Sequence, residues 1–351
     1  MAAPSLKDTE LLPEILQRLL RREDLSRTEA RALLEVMFAG GDGERHDLQV
    51  TAVLTALAAK GETEEEITGF AEGMRAAMAD IGLRDATRAW VDTCGTGGTG
   101  RAVFNVSTAA ALTVAGAGVG VAKHGNRSST SVCGSADVLE AAGVNLQFPV
   151  ARLGACLEEV GMAFLFAPLL HPAMARVMPV RRALRVRTIF NLLGPLTNPA
   201  GAQAQVVGVG DAGLAPKLAA ALARLGTRHS FVVRSRDGLG ELSTTDVNEV
   251  AEIRDGEVRQ YALDARELGL KRVGLNAFAC RSKTEAVTRL HQVLAGEAGP
   301  LQDIVSLNAG AALLASGQAQ DWTEGLAMAR ASLQSGAARR TLENLVAYTQ
   351  G

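Results

Sequence analysis

The chain has 351 residues, 47% of them hydrophobic and 21% charged, an ordinary globular balance with enough apolar content for a sizeable core. A formal charge of -2 and the lack of any basic tail or domain argue against a nucleic-acid binder. The apolar stretches are broken by Gly, Pro, Arg or Lys before reaching the roughly eighteen residues of a membrane span, and Met1 to Leu20 has no cleavable signal pattern, so a soluble cytoplasmic protein with no membrane partner is expected.

The first eighty residues read as helices. Ser26 is followed by Glu29, and Thr63 by Glu66, two capping-box spacings that each precede apolar residues at helical intervals. From Trp90 the texture changes to short β-type runs alternating with alanine-rich stretches. Trp90 to Thr93 reads as a strand, Ser107 to Ala115 as a helix and Val119 to Ala122 as a second strand. Similar runs at Ala204 to Val209 and Ser230 to Val233, each followed by a Gly-containing loop, favour an α/β sheet with ligand loops at its strand ends. Cys94, Cys133, Cys156 and Cys280 are too sparse for a disulfide scaffold and lack close metal-ligand pairs, so they read as buried, reduced thiols.

Charge is distributed unevenly. Of the 38 acidic residues none falls between Thr93 and Ala136 or between Val160 and Gly210, where chance would place roughly five in each window. Those windows instead hold Lys123, Arg127, Arg176, Arg181, Arg182, Arg185 and Arg187, as expected where a small anionic ligand must not meet carboxylates. Gly95-Thr96-Gly97-Gly98-Thr99-Gly100 follows a predicted strand, and such glycines let backbone N–H groups approach phosphate oxygens. The run matches G-x-G-x-x-G, yet the acidic ribose ligand expected about twenty residues on is missing, and no Gly-Lys-Ser/Thr closes a Walker loop. Asn105-Val106-Ser107-Thr108 opens an apolar helix and puts hydroxyls at the positive end of its dipole. Lys123-His124-Gly125-Asn126-Arg127-Ser128-Ser129-Thr130-Ser131 then supplies two cations, one amide and four hydroxyls directly after a strand.

Taken together, Gly95 to Gly98, Asn105 to Thr108, Lys123 to Arg127, Gly134-Ser135-Ala136-Asp137-Val138-Leu139-Glu140, His171 to Met174, Pro179 to Arg181 and Arg187 to Pro199 resemble the anthranilate phosphoribosyltransferase family in order and spacing. The similarity spans nearly the whole chain. It implies a small all-helical domain over residues 1–85, on which helices from about 160–190 pack, and a large α/β domain over 86–351 with a central mixed sheet flanked by helices. It also implies transfer of phosphoribose from 5-phosphoribosyl pyrophosphate to anthranilate in tryptophan biosynthesis, with release of pyrophosphate, and usually a homodimer. Contacts to phosphoribosyl pyrophosphate carry over to Gly95, Gly98, Thr99, Asn105, Ser107, Thr108, Ser135 and the run from Lys123 to Ser131. Contacts to anthranilate carry over to Asn126 and Arg181, with His124 beside the acceptor. No covalent nucleophile is required, because magnesium and cationic or N–H donors neutralise the leaving group while the acceptor nitrogen is held in place.

The sequence departs from the family at the metal. Thr99 stands where the glycine loop normally ends in Asp, Gly240 stands where Asp normally precedes Glu241, Val132 where a basic residue is common and Val103 where a hydroxyl is common. One magnesium ion is therefore expected, held by Ser107 and Glu241, with a second site weakened or absent. Asp237 and Asp246 are the carboxylates near enough in sequence to substitute. The competing readings are a divergent paralogue resembling the pyrimidine nucleoside phosphorylases, a nicotinamide-dependent oxidoreductase resting on the glycine run, and a non-enzymatic binding protein.

Overall fold

The computed structural model describes residues 6–41, 43–85, 88–97, 100–128 and 132–351. The chain opens with four helices, α1 (Leu6–Leu20), α2 (Arg27–Ala39), α3 (Gly43–Lys60) and α4 (Glu64–Ala76). Both expected capping boxes form: Ser26 accepts from the Glu29 N–H and Thr63 from the Glu66 N–H, while each glutamate reaches back to its cap. Glu66 does more than cap. Fully buried, it accepts from the N–H of Leu25 at 2.9 Å and of Thr63 at 2.8 Å, and pairs with the nearly buried ammonium of Lys60 at 3.0 Å.

Next come β1 (Val91–Gly95), α5 (Val106–Gly116), β2 (Val121–Gly125), α6 (Ser135–Ala141), α7 (Leu153–Val160) and β3 (Met162–Phe166). Three short helices, α8 (Ala167–Leu170), α9 (Met178–Leu184) and α10 (Phe190–Leu193), lead back toward the helical bundle before β4 (Ala204–Gly208), α11 (Leu214–Arg224) and β5 (His229–Ser235). The hairpin β6 (Asn248–Arg254) and β7 (Glu257–Leu263) follows, and α12 (Lys283–Leu294), α13 (Pro300–Ala315), α14 (Trp322–Gln334) and α15 (Ala337–Gln350) complete the chain. The strands form one mixed sheet ordered β3-β2-β1-β4-β5-β6-β7, parallel from β3 to β5 and antiparallel beyond.

Alternation along the strands sends side chains to two separate cores. Val206, Phe231 and Val233 join the cluster containing α5, α13 and α14 residues, whereas Val207 and Val232 join the cluster containing α11 and the bundle. Val177, Val180, Ile189, Phe190, Leu192 and Leu193 lie in that second cluster too, with α9 against α3 and α10 against α4. Among the described residues no helix is long and apolar enough to cross a membrane. Cys133, Cys156 and Cys280 are buried and Cys94 is half-buried.

Candidate active site

The carboxyl ends of β1, β2 and β4 point the same way because these strands are parallel. Gly95 pairs in register with Gly208. A Cβ on Gly208 would come within 1.6 Å of the Gly240 carbonyl oxygen, so only glycine lets the loop after β5 cross this close to the sheet. The glycine loop and the 237–241 loop therefore meet at one end of the molecule. Arg187 and Arg101 bind them from either side: Arg187 Nη1 donates to the Gly97 carbonyl at 3.1 Å, and Arg101 Nη2 to the Asp237 carbonyl at 2.9 Å.

The base of the cleft is a buried polar network. Lys123, 1% exposed, donates through Nζ to the Thr93 carbonyl at 2.6 Å, and Thr93 Oγ1 donates to the Ser107 carbonyl at 2.7 Å, which ties β2, β1 and the start of α5 together. Beside Lys123 lies buried Asp92. Its Oδ1 accepts from the His124 N–H at 3.2 Å and its Oδ2 from Asn198 Nδ2 at 2.8 Å. Burial pushes the Asp92 carboxyl up and the Lys123 ammonium down, and the opposite charge of each partly restores the other.

His124 Nδ1 is 3.0 Å from the Gly194 carbonyl, which can only accept, so Nδ1 carries the proton. His124 Nε2 is then an acceptor for His171 Nε2 at 3.1 Å, leaving His171 Nδ1 buried without a partner among the described residues. Burial pushes both rings down, His171 to about 3, so both are neutral near pH 7. His124 thus has its lone pair already engaged and serves to orient, not to take a proton.

Several buried oxygens at the end of β1 and the start of α5 lack partners among the described residues: Thr96 Oγ1, Asn105 Oδ1 and Thr108 Oγ1. Asn105 is anchored by its amide, which donates to the Cys133 carbonyl at 2.9 Å. Buried polar atoms are normally satisfied, so such a cluster beside a helix N-terminus and a glycine loop is what an oxygen-rich ligand would complete. Half-buried Arg181 lies over the Phe190 ring at 5.3 Å and has no carboxylate partner among the described residues. Burial lowers its affinity for its proton, so the charge it keeps has a desolvation cost that a ligand anion would offset. Glu241, half-buried and without a hydrogen bond or ion pair among the described residues, is pushed up to about 7 by burial and by Asp237.

Nearly the whole chain matches known proteins. A glycosyl transferase family helical bundle domain fits residues 13–78, and a glycosyl transferase family a/b domain fits residues 87–339. An anthranilate phosphoribosyltransferase of Moorella thermoacetica is 46% identical over 97% of this chain and 99% of its own. The chain belongs to the anthranilate phosphoribosyltransferase family. Among solved structures, the anthranilate phosphoribosyltransferase of Thermus thermophilus superposes with a TM-score of 0.89 at 42% identity, over 96% of this chain and 99% of that one. The enzyme of Saccharomyces cerevisiae, in complex with PRPP and Mg, does so with a TM-score of 0.88 at 28% identity, over 97% and 98%. These matches do not favour the divergent, phosphorylase-like reading.

Within this phosphoribosyltransferase, Gly95, Asn105, Ser107, Thr108, Lys123, His124, Gly125, Asn126, Ser128 and Ser135 gather around the ends of β1 and β2 and the start of α5. Gly98, Thr99, Ser129, Thr130 and Ser131 lie outside the described residues. Arg127 is placed differently from a phosphate ligand: its Nη1 and Nη2 bind Glu140 at 2.6 and 2.7 Å, and Nη1 also binds Asp137 at 3.2 Å. Its cation is already satisfied by carboxylates. Asp237 and Asp246 are likewise engaged, Asp237 by the Leu239 N–H and Thr245 Oγ1 and Asp246 by the Val247 N–H. Asp92, Asn198 and His171 went unassigned in the sequence. The available signal for Asp92 was one carboxylate inside an otherwise apolar run two residues before the cysteine that precedes the glycine loop.

Proposed function

We propose that this chain transfers the phosphoribosyl group of 5-phosphoribosyl pyrophosphate to the amine of anthranilate, giving N-(5-phosphoribosyl)anthranilate and pyrophosphate, in the cytoplasm as a step of tryptophan biosynthesis. The observations that carry the reading are the unsatisfied oxygens at the end of β1 and the start of α5 and a half-buried arginine, Arg181, that lacks a carboxylate partner among the described residues. The first set suits a pyrophosphate and its metal, and the second suits the acceptor's carboxylate. Cleavage of the anomeric C–O bond leaves a cationic ribosyl centre and an anionic leaving group. Lys123, the N-terminus of α5 and the glycine loop offset the anion, while Asn126, Arg181 and His124 orient an aromatic amine that is already uncharged at neutral pH.

One magnesium ion suits the donor set. Glu241 lacks a cation, Ser107 offers a hydroxyl, and no group of three or more His, Cys, Asp and Glu side chains among the described residues would hold a metal unaided. Substrate and water oxygens would complete its shell, where the ion neutralises leaving-group charge. Gly240 adds no side chain, and Asp237 and Asp246 are occupied, which supports a weakened or absent second site. We assign 1–85, with the segment from about 160–190, to the helical domain and the rest to the phosphoribosyl-binding domain, as the second hydrophobic cluster supports. Exposed Leu20 on α1 and Leu48 on α3 mark the face we assign to a homodimer.

The direct test is fluorescence detection of phosphoribosyl anthranilate from anthranilate, phosphoribosyl pyrophosphate and magnesium. Product formation is expected. Its absence at high enzyme concentration overturns the reading.

A further inference from the structure

The chain leaves β2 at Gly125, makes an excursion and returns at Gly134 to start α6. The two stems of that excursion touch. A Cβ on Gly134 would lie 2.3 Å from the Ser128 backbone nitrogen, 2.7 Å from the Arg127 carbonyl carbon and 2.8 Å from the Asn126 oxygen. Both stems are held by one side chain, Asp137. Its Oδ2 accepts from the Ser128 N–H at 3.2 Å and from the Gly134 N–H at 2.9 Å, and its Oδ1 takes Arg127 at 3.2 Å and Lys283 at 3.1 Å. The division is clear: one oxygen brackets the backbone of the loop, and the other is pinned by two cations. Lys283 opens α12, 146 residues away in sequence, so the carboxylate also anchors the loop to a distant element. Burial, at 7% exposure, pushes its carboxyl up, but the four donors outweigh it and hold the carboxyl down, at about 2.

We infer that Asp137 is a positioning residue for phosphoribosyl pyrophosphate: it touches no substrate, but by bracketing Ser128 and Gly134 it sets the loop geometry that presents Asn126, Ser128 and Ser135 to the phosphates. Arg127 belongs to the same device. The inference rests on assigning the 123–135 segment to phosphoribosyl pyrophosphate. Anthranilate shares Asn126 with this loop but is also held through Arg181 on α9, so Asp137 bears on it less. A merely structural role for Asp137 would disturb both substrates together, or only the melting temperature.

Three variants separate these cases. Asp137→Ala removes both functions of the carboxylate. Asp137→Asn keeps an oxygen for the two backbone N–H groups and loses the attraction for Arg127 and Lys283. Lys283→Met cuts the anchor from a half-exposed side chain remote from either substrate. Calorimetric titration of wild type with phosphoribosyl pyrophosphate and magnesium comes first; no binding there overturns the substrate assignment and the inference with it. Given binding, Asp137→Ala is expected to raise Kd and KM for phosphoribosyl pyrophosphate at least tenfold, with a clearly smaller rise in KM for anthranilate, which shares only Asn126 with this loop. Asp137→Asn and Lys283→Met are expected to show smaller shifts in the same direction, with faster amide exchange confined to 126–135. Equal shifts for both substrates, or unchanged Kd in a folded Asp137→Ala, overturn the inference. If Asp137→Ala does not fold, Lys283→Met with unchanged Kd and unchanged exchange overturns it.

Discussion

Arg181 and Glu241 each lack an opposite partner among the described residues, and burial makes the charged form of each costly without one. A hydrogen bond to a charged group contributes about 1.5–3 kcal/mol, so Arg181→Ala should raise KM for anthranilate roughly ten- to a hundredfold while KM for phosphoribosyl pyrophosphate stays near wild type. Steady-state kinetics with each substrate varied in turn measure this. His171 gives a pH signature. Its folded value of about 3 lies below the ordinary 6.5, so between those values the unfolded chain binds more protons than the native one, and stability rises with pH across that window. Wild-type melting temperature should fall more steeply than that of His171→Gln as pH drops from 6.5 toward 4, read by thermal scans on the two proteins. Arg181 was legible in the sequence because it sits in a joined motif. The role of Arg127 was not, because its two carboxylate partners lie on α6 and only folding brings them onto its guanidinium.

Among the elements, both capping boxes were visible in four-residue windows because a cap is satisfied locally. Strand β3 was not recognised: Met-Ala-Phe-Leu-Phe is buried at every position and shows no alternation, so a short run like this reads equally well as buried helix. The β6–β7 hairpin did carry a signal, Asp255-Gly256 between two alternating runs. The structure gives those residues φ of 51° and 86°, the positive values a tight two-residue hairpin turn requires. Glu66 shows how much a cap can acquire from its surroundings, since it also holds the Leu25 N–H and Lys60. Glu66→Ala would leave two N–H groups without their acceptor and take one of two carboxylates from Lys60, which keeps Asp24, and should destabilise the bundle by about 2 kcal/mol or more, against about 1 kcal/mol for Thr63→Ala. Chemical denaturation of both variants decides whether the difference exists.

At the scale of the molecule, ion count and subunit count are properties of the assembled protein. Manganese binding followed by electron paramagnetic resonance in the presence of phosphoribosyl pyrophosphate should give one tight ion per chain, and Gly240→Asp should raise that number if the missing carboxylate is what removes the second site. Two tight ions in wild type would sink the one-ion assignment. On the proposed dimer assignment, wild type should run as a dimer in light scattering and a double Leu20→Glu, Leu48→Glu variant as a monomer, because burying two carboxylates in an apolar contact is costly. An unchanged mass would move the interface elsewhere.

The sequence by itself determined the helical opening and the alternation of strand and helix, and it carries the signal for the proposed phosphate site, since caps, apolar periodicity and the exclusion of acid from two long windows are written in adjacent residues. Only the tertiary structure decided which groups are free to meet a ligand. Lys123 is turned onto the Thr93 carbonyl, His124 is committed to Gly194 and His171, and Arg127 is neutralised by α6, while Thr108, Arg181 and Glu241 are left unsatisfied among the described residues. The physical reason is that hydrogen bonding and charge pairing saturate in space, between residues as far as 146 apart in the chain, whereas a motif records only which donors and acceptors are present.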